Sequence, residues 1–313
     1  ARYRLECVDY DILELPLKAS RLEDYTEADS SSKAGGISSG MATKVAAVVV
    51  TGHFAPITCL AAHPSQSVFA TCGSDSRVIT WDADEGSKLR HTSLESCGSS
   101  IKYDEKGRYL FVGSEQGTVS ILDASTLDIV RTHNVFKCPV TSISASPDSK
   151  LIAACSRRGD VVVLDEERVL ASLRSGSGAC VIAADFGRDA KRRLVFRTRG
   201  DDGVVDYWRL DGRRTRRLFR VEDLPGPEPW AWRSGFAEGR CVASNMKGVV
   251  AVADDDGLEL RSGAGDARGA FRGAAYDAAA MAFLADGQRL VTAARGARAA
   301  VVWDAARETS VAC

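Results

Sequence analysis

The 313 residues carry 41 Lys and Arg against 42 Asp and Glu, a net charge of −1 with the four histidines neutral, so nothing global favours nucleic acid as a partner. The longest plain apolar run, Val45 to Val50, is far short of the roughly 18 residues a membrane span needs. Nine scattered cysteines, with no CxxC pair and no histidine pair at zinc spacing, fit reduced thiols of a cytoplasmic chain and exclude a disulfide framework.

Short Val, Ile and Leu runs between Gly-, Asp- and Ser-rich turns read as nearly all β. The chain opens at Ala1 without Met or a signal-peptide pattern, as a piece of a longer protein would. RLECV and DILEL read as two strands of a first, partial unit at 1–50, followed by a polar loop over 18–43 and an outer strand KVAAVVV. Next, ITCLAAH, SVFATC and RVITWD give three alternating strands separated by HPSQ and GSDS turns, with SKLRHTSL as a fourth. The pattern returns as SIKYDEKGRYLFVGSEQGTVSILD, TSISASPDSKLIAACSRRGDVVVLD, AADFGRDAKRRLVFRTRGDDGVVDYW and MAFLADGQRLVTAARGARAAVVWD.

Pairs in the position of Trp81-Asp82 recur as Leu122-Asp123, Leu164-Asp165, Trp208-Arg209, Leu260-Arg261 and Trp303-Asp304, spaced by 41, 42, 44, 52 and 43 residues. That period, with four short strands per unit, a Gly-His before and a Trp-Asp after, predicts a WD-repeat β-propeller. About seven four-stranded blades are expected in one domain, the first partial and the others ending near 82, 123, 165, 209, 261 and 304. Each blade covers its neighbour, because a lone four-stranded sheet cannot bury both faces.

The most regular unit places His53, Thr71, Asp75 and Trp81 where such repeats join the four by hydrogen bonds, with Asp accepting from His and the hydroxyl meeting the indole N–H. This set is architectural. The fourth unit keeps Thr198, Asp202 and Trp208 without a Gly-His, the second has Gln116 in the Asp place, and the last has Ala274 in the His place.

No set of acid, base and nucleophile emerges, so no catalytic residue, cofactor or metal is expected. His53, His63, His91 and His133 accompany no nucleophile motif, and SGSGAC, ending at Cys180, lacks an elbow or cysteine-protease signature. Asp254-Asp255-Asp256-Gly257 lacks the alternating ligands of a calcium loop, and GAGDARG is off the dinucleotide spacing.

Two features stand out as candidate partner-binding surface. Residues 188–220 hold twelve Arg and Lys against five Asp, a segment of +7 in a chain whose remainder is −8. Its arginines are expected mainly in two turns, one with Arg192 and Arg193, the other with Arg213, Arg214, Arg216 and Arg217. The 52-residue spacing is filled by VEDLPGPEPWAWRSGF, whose Trp230 and Trp232 suit a packed connector or an exposed aromatic anchor.

From GHFAPITCLAAHPSQSVFATCGSDSRVITWD through RGDDGVVDYWRL and PWAWRSGF to VVAVADDDGLEL and TAARGARAAVVWD, roughly residues 45 to 304, the chain resembles the C-terminal propeller of the echinoderm microtubule-associated protein-like family. The DYW strand with its Trp-bearing insertion and the AVADDDG strand carry the likeness beyond generic repeats. The resemblance implies a non-enzymatic interaction module of the cytoplasm and cytoskeleton that binds tubulin or microtubules. A WD-repeat scaffold of ciliary assembly or of ubiquitin-ligase substrate recruitment is the alternative. The family's coiled coil and first-propeller motif are not visible in this sequence.

Overall fold

The computed structural model describes residues 47–304 apart from 175–177, 189–193, 203, 212–213, 222–240, 245–248, 255–256, 263–266 and 272–277. In chain order the strands are β1 (Ala47–Thr51), β2 (Ile57–Ala62), β3 (Val68–Gly73), β4 (Arg77–Asp82), β5 (Lys88–Ser93), β6 (Gly98–Tyr103), β7 (Tyr109–Ser114) and β8 (Thr118–Asp123). There follow β9 (Ile129–Asn134), β10 (Val140–Ala145), β11 (Ile152–Ser156), β12 (Asp160–Leu164), β13 (Val169–Arg174), β14 (Val181–Arg188), β15 (Leu194–Gly200) and β16 (Val205–Asp211). The remainder are β17 (Arg214–Val221), β18 (Cys241–Ser244), β19 (Val249–Asp254), β20 (Gly257–Ser262), β21 (Ala267–Phe271), β22 (Ala278–Phe283), β23 (Arg289–Ala294) and β24 (Ala299–Asp304).

These strands form six four-stranded antiparallel sheets. Five are simple meanders: β2–β5, β6–β9, β10–β13, β14–β17 and β18–β21. The sixth has the order β1-β24-β23-β22, so its outer strand comes from the far end of the chain. Inner strands contact one another from blade to blade, β22 with β2, β2 with β6, β6 with β10, β10 with β14, and β18 with β22.

The strand read as the outer edge of a separate first blade is therefore corrected: Ala47 to Thr51 pairs antiparallel with β24, Val48 opposite Val302 and Val50 opposite Ala300. Val50 is buried and packs with Val291, Ala300, Val302, Phe69 and Trp81, a valine run completing the last sheet instead of starting a new one. Residues 1–46, where RLECV and DILEL fall, lie outside the described residues.

The core lies between blades. Phe69, Ile79 and Trp81 of the first blade pack on Val291, Ala293 and Val302 of the sixth. Ala70, Cys72 and Val78 meet Ile101, Leu110 and Leu122 of the second. The alternation of each strand sends one set of side chains to each neighbouring blade.

In the first three blades the Asp of the repeating pair closes the outer turn. Asp82 Oδ1 accepts the amides of Asp84 and Glu85, Asp123 Oδ1 those of Ser125 and Thr126, and Asp165 Oδ1 those of Glu167 and Arg168. Every inner strand described in pairing detail except β18 also slips register after its first residue, at Thr58, Ser99, Thr141, Ile182 and Ala279. At three of these bulges a hydroxyl crosses to the next blade. Thr58 donates to the Gly98 carbonyl at 2.6 Å, Ser99 to that of Val140 at 2.6 Å, and Thr141 to that of Val181.

Candidate functional site

In the first blade β3, β4 and the loop before β2 bring His53, Thr71, Asp75 and Trp81 together. His53 Nδ1 lies 3.0 Å from both carboxylate oxygens of Asp75, and its Nε2 lies 2.8 Å from Thr71 Oγ1. Trp81 Nε1 donates to the same hydroxyl at 2.8 Å. With Nδ1–H donating to the carboxylate, Nε2 accepts the Thr71 proton, and every buried polar atom of the chain of bonds has a partner.

Burial pushes the His53 imidazole below its usual range, and the bond to Asp75 offsets only part of that. For Asp75 burial acts upward, but the Phe54 amide and His53 outweigh it and hold the carboxyl below its ordinary range. Gly73 is required beneath them: a Cβ there would meet His53 Nδ1 at 2.6 Å and Asp75 Oδ1 at 2.7 Å.

The same turn is solved differently elsewhere. Asp75 Oδ1 accepts the Arg77 amide at 3.1 Å. In the second and third blades the Gly73 position holds Ser114 and Ser156, whose hydroxyls accept the corresponding amides of Thr118 at 3.1 Å and Asp160 at 3.0 Å. In the fourth, Asp202 again caps, taking the Val204 amide at 3.1 Å beside Gly200. The indole-to-threonine bond persists as Trp208 to Thr198, 3.0 Å, and Trp303 to Thr292, 2.8 Å. Gln116, the residue in the second blade's Asp place, is exposed.

Of the other histidines, His63 Nδ1 accepts the amides of Ser65 and Gln66 while Nε2 donates to the Gly107 carbonyl at 3.1 Å, tying blade one to blade two. His133 Nε2 donates to the Glu166 carbonyl, and His91 lies exposed on β5. Burial and the Asp201 carboxylate push the Cys180 thiol upward, the opposite of what activates a nucleophile.

The basic segment divides. Arg197 is not surface at all: it is 1% exposed on β15, with its guanidinium 3.7 Å from the Asp185 carboxylate. Arg214, Arg216 and Arg217, expected in a turn, lie in β17, the outer strand of the fourth blade, opposite Asp211, Arg209 and Trp208. Strand β17 begins at Arg214, four residues earlier than a turn through 213–217 would allow. Arg192, Arg193, Arg213, Trp230 and Trp232 lie outside the described residues, as do Ala274, Asp255 and Asp256.

Sequence reasoning passed over Phe54. At 68% exposure it is the most exposed large apolar side chain among the described residues, and the Arg77 guanidinium stands 4.5 Å from its ring centre. A Phe directly after Gly-His, in a turn where a polar residue is ordinary, was the available signal. It also passed over Arg289, which donates to Asp286, Asp84 and Ser67 Oγ and so clamps the sixth blade onto the first.

Comparison with known proteins places this geometry among relatives. A family model for the WD domain, G-beta repeat, matches residues 45–82 and 126–165. Human echinoderm microtubule-associated protein-like 2 is 30% identical over 166 residues, 51% of this chain and 25% of that protein. The 77 kDa echinoderm microtubule-associated protein of Strongylocentrotus purpuratus is 27% identical over 165 residues, 51% of this chain and 24% of its own. The chain thus spans about a quarter of the length of these curated relatives. Among solved structures, U3-55K matches with a TM-score of 0.61 at 16% identity, covering 82% of this chain and 98% of its own, a likeness of fold. The RRP9 WD40 repeats match with a TM-score of 0.61 at 17% identity, covering 82% and 97%.

Proposed function

Because the chain is a WD-repeat β-propeller similar over half its length to echinoderm microtubule-associated proteins, we propose that it is a non-enzymatic interaction module of the cytoskeleton that binds tubulin or microtubules. The likeness to proteins named for microtubule association is the observation that carries this reading. The names of these relatives give no support to a ciliary role. Fold alone would not assign a partner.

The fourth blade offers the chemistry. Arg188 ends β14 and Arg214 begins β17 at one end of the same meander. The sequence between those strands and their partners supplies Arg192, Arg193 and Arg213. Guanidinium forks suit carboxylates, and an acidic partner surface would be steered to them by a field that salt weakens. Trp230 and Trp232 fall in the insertion after β17 and stand as a candidate aromatic anchor for the same contact.

The test replaces Arg213, Arg214, Arg216 and Arg217 by Glu and measures cosedimentation with tubulin polymer at low and high ionic strength. The unaltered chain should sediment more at low salt, and the variant should lose most of that difference. Equal sedimentation of the two proteins at both strengths overturns the arginine assignment. Recovery of a ubiquitin-ligase subunit in a pull-down, with no tubulin, would transfer the function to an adaptor.

A further inference from the structure

Phe54 is exposed, yet its position is fixed from beneath. Its backbone N–H donates to Asp75 Oδ2 at 2.9 Å, and Asp75 is held by His53, itself 5% exposed. Arg77 closes over the ring. A solitary exposed apolar side chain is ordinary. One whose backbone hangs on a buried hydrogen-bonded chain pays little ordering entropy when a partner covers it.

Its surroundings are basic. The turn between β23 and β24 carries Arg295 and Arg298, both exposed, and is tied to the start of β2 by the Ile57 amide donating to the Ala297 carbonyl at 2.7 Å. Asp75, the acid at the centre, is occupied by His53 and by the amides of Phe54 and Arg77. Exposed Glu95, on the loop held to Ser76 by the Leu94 amide, bounds the patch on the side of the second blade.

We propose that this end of blades six and one is a docking site for an acidic peptide segment of a partner protein, with one apolar side chain of that segment seated on Phe54 and flanking carboxylates on Arg77, Arg295 and Arg298. Aromatic and arginine side chains are the groups that dominate interface energetics. The site is distinct from the arginines of the fourth blade. It lies at the end of the sheets that carries the β3–β4 and β23–β24 turns, whereas Arg188 and Arg214 mark the β14–β15 and β16–β17 end.

The experiment is fluorescence anisotropy of the full chain with a labelled synthetic peptide of glutamates around a central leucine. Two control peptides carry Gly in place of the leucine or Lys in place of the glutamates. Phe54→Ala should weaken binding of the leucine peptide roughly tenfold or more with an unchanged melting temperature, since the ring is solvent-facing. Arg298→Glu should weaken it and flatten its salt dependence, while the fourth-blade charge reversal should leave it untouched. Binding by Phe54→Ala equal to the parent overturns the site. So does a leucine peptide that binds no better than either control, or does not bind.

Discussion

Asp75 carries more of the first blade than a turn residue ordinarily would, since it accepts from an imidazole and two backbone amides at once. Replacing it by Ala should cost on the order of 1–3 kcal/mol in urea unfolding, because His53 Nδ1–H would be left buried without an acceptor. The pair also sets an acid limit. His53 titrates below its unfolded value of about 6.5, so the unfolded chain binds the extra proton first and stability falls as pH drops below that value. Asp75 is likewise depressed, and its contribution is lost at still lower pH, beneath the unfolded carboxyl value of about 4. Melting temperatures should therefore decline from pH 7 toward pH 5, and Asp75→Asn, which removes the charge that offsets part of the imidazole's depression, should decline more steeply over that range; parallel curves would remove the pair from the account. The spacing of His53, Thr71, Asp75 and Trp81 made these four legible in the sequence, because each is a polar type at a fixed offset. Arg197 was not legible: a one-dimensional charge count cannot register that β15 is an interior strand covered on both faces, with Val195, Phe196, Arg197 and Thr198 all buried in succession.

Among elements, the inner strands owe their mutual fit to a bulge and a hydroxyl. Thr58 lies in the register slip of β2 and donates both to the Cys72 carbonyl at 3.1 Å and to Gly98 of the next blade. Thr58→Val keeps the shape and removes the donor. It should cost about 1 kcal/mol or somewhat more, read as a lower urea midpoint with an unchanged slope; no loss would mean that water serves those carbonyls as well. In β14 the corresponding place is Ile182, 40% exposed and without a hydroxyl, so the link from the fourth blade onward lacks this bond. The strands themselves were readable from apolar alternation and from Asp-Gly and Pro-Asp turns. The bulges were not, since an extra residue in ITCLAAH or TSISAS looks like ordinary alternation until its partner strand is known. For β17, the run RTRRLFRV reads as a charged turn by composition, and only pairing with β16 extends it as a strand.

At the scale of the whole molecule, period located the repeating units, but period is blind to which sheet an end strand joins. KVAAVVV has the composition of any outer strand, and its assignment to the sixth blade follows from Val50 finding Val302 and Phe69 beside it. Residues Ala47 and Trp303 are paired at one end of that sheet, which places the chain's entry into β1 and its exit from β24 side by side. Tension applied to the two flanking segments would draw those ends apart across the ladder, breaking its hydrogen bonds singly and in order from Ala47 toward Thr51. Pulled this way in an optical trap, the domain should release a short first length of chain at low force, before the remaining sheets yield, whereas handles placed on β5 and β13 should show no such early step. That makes β1 a force-sensitive tab, and the direction of load rather than its size alone would decide how long the sixth sheet keeps its outer strand.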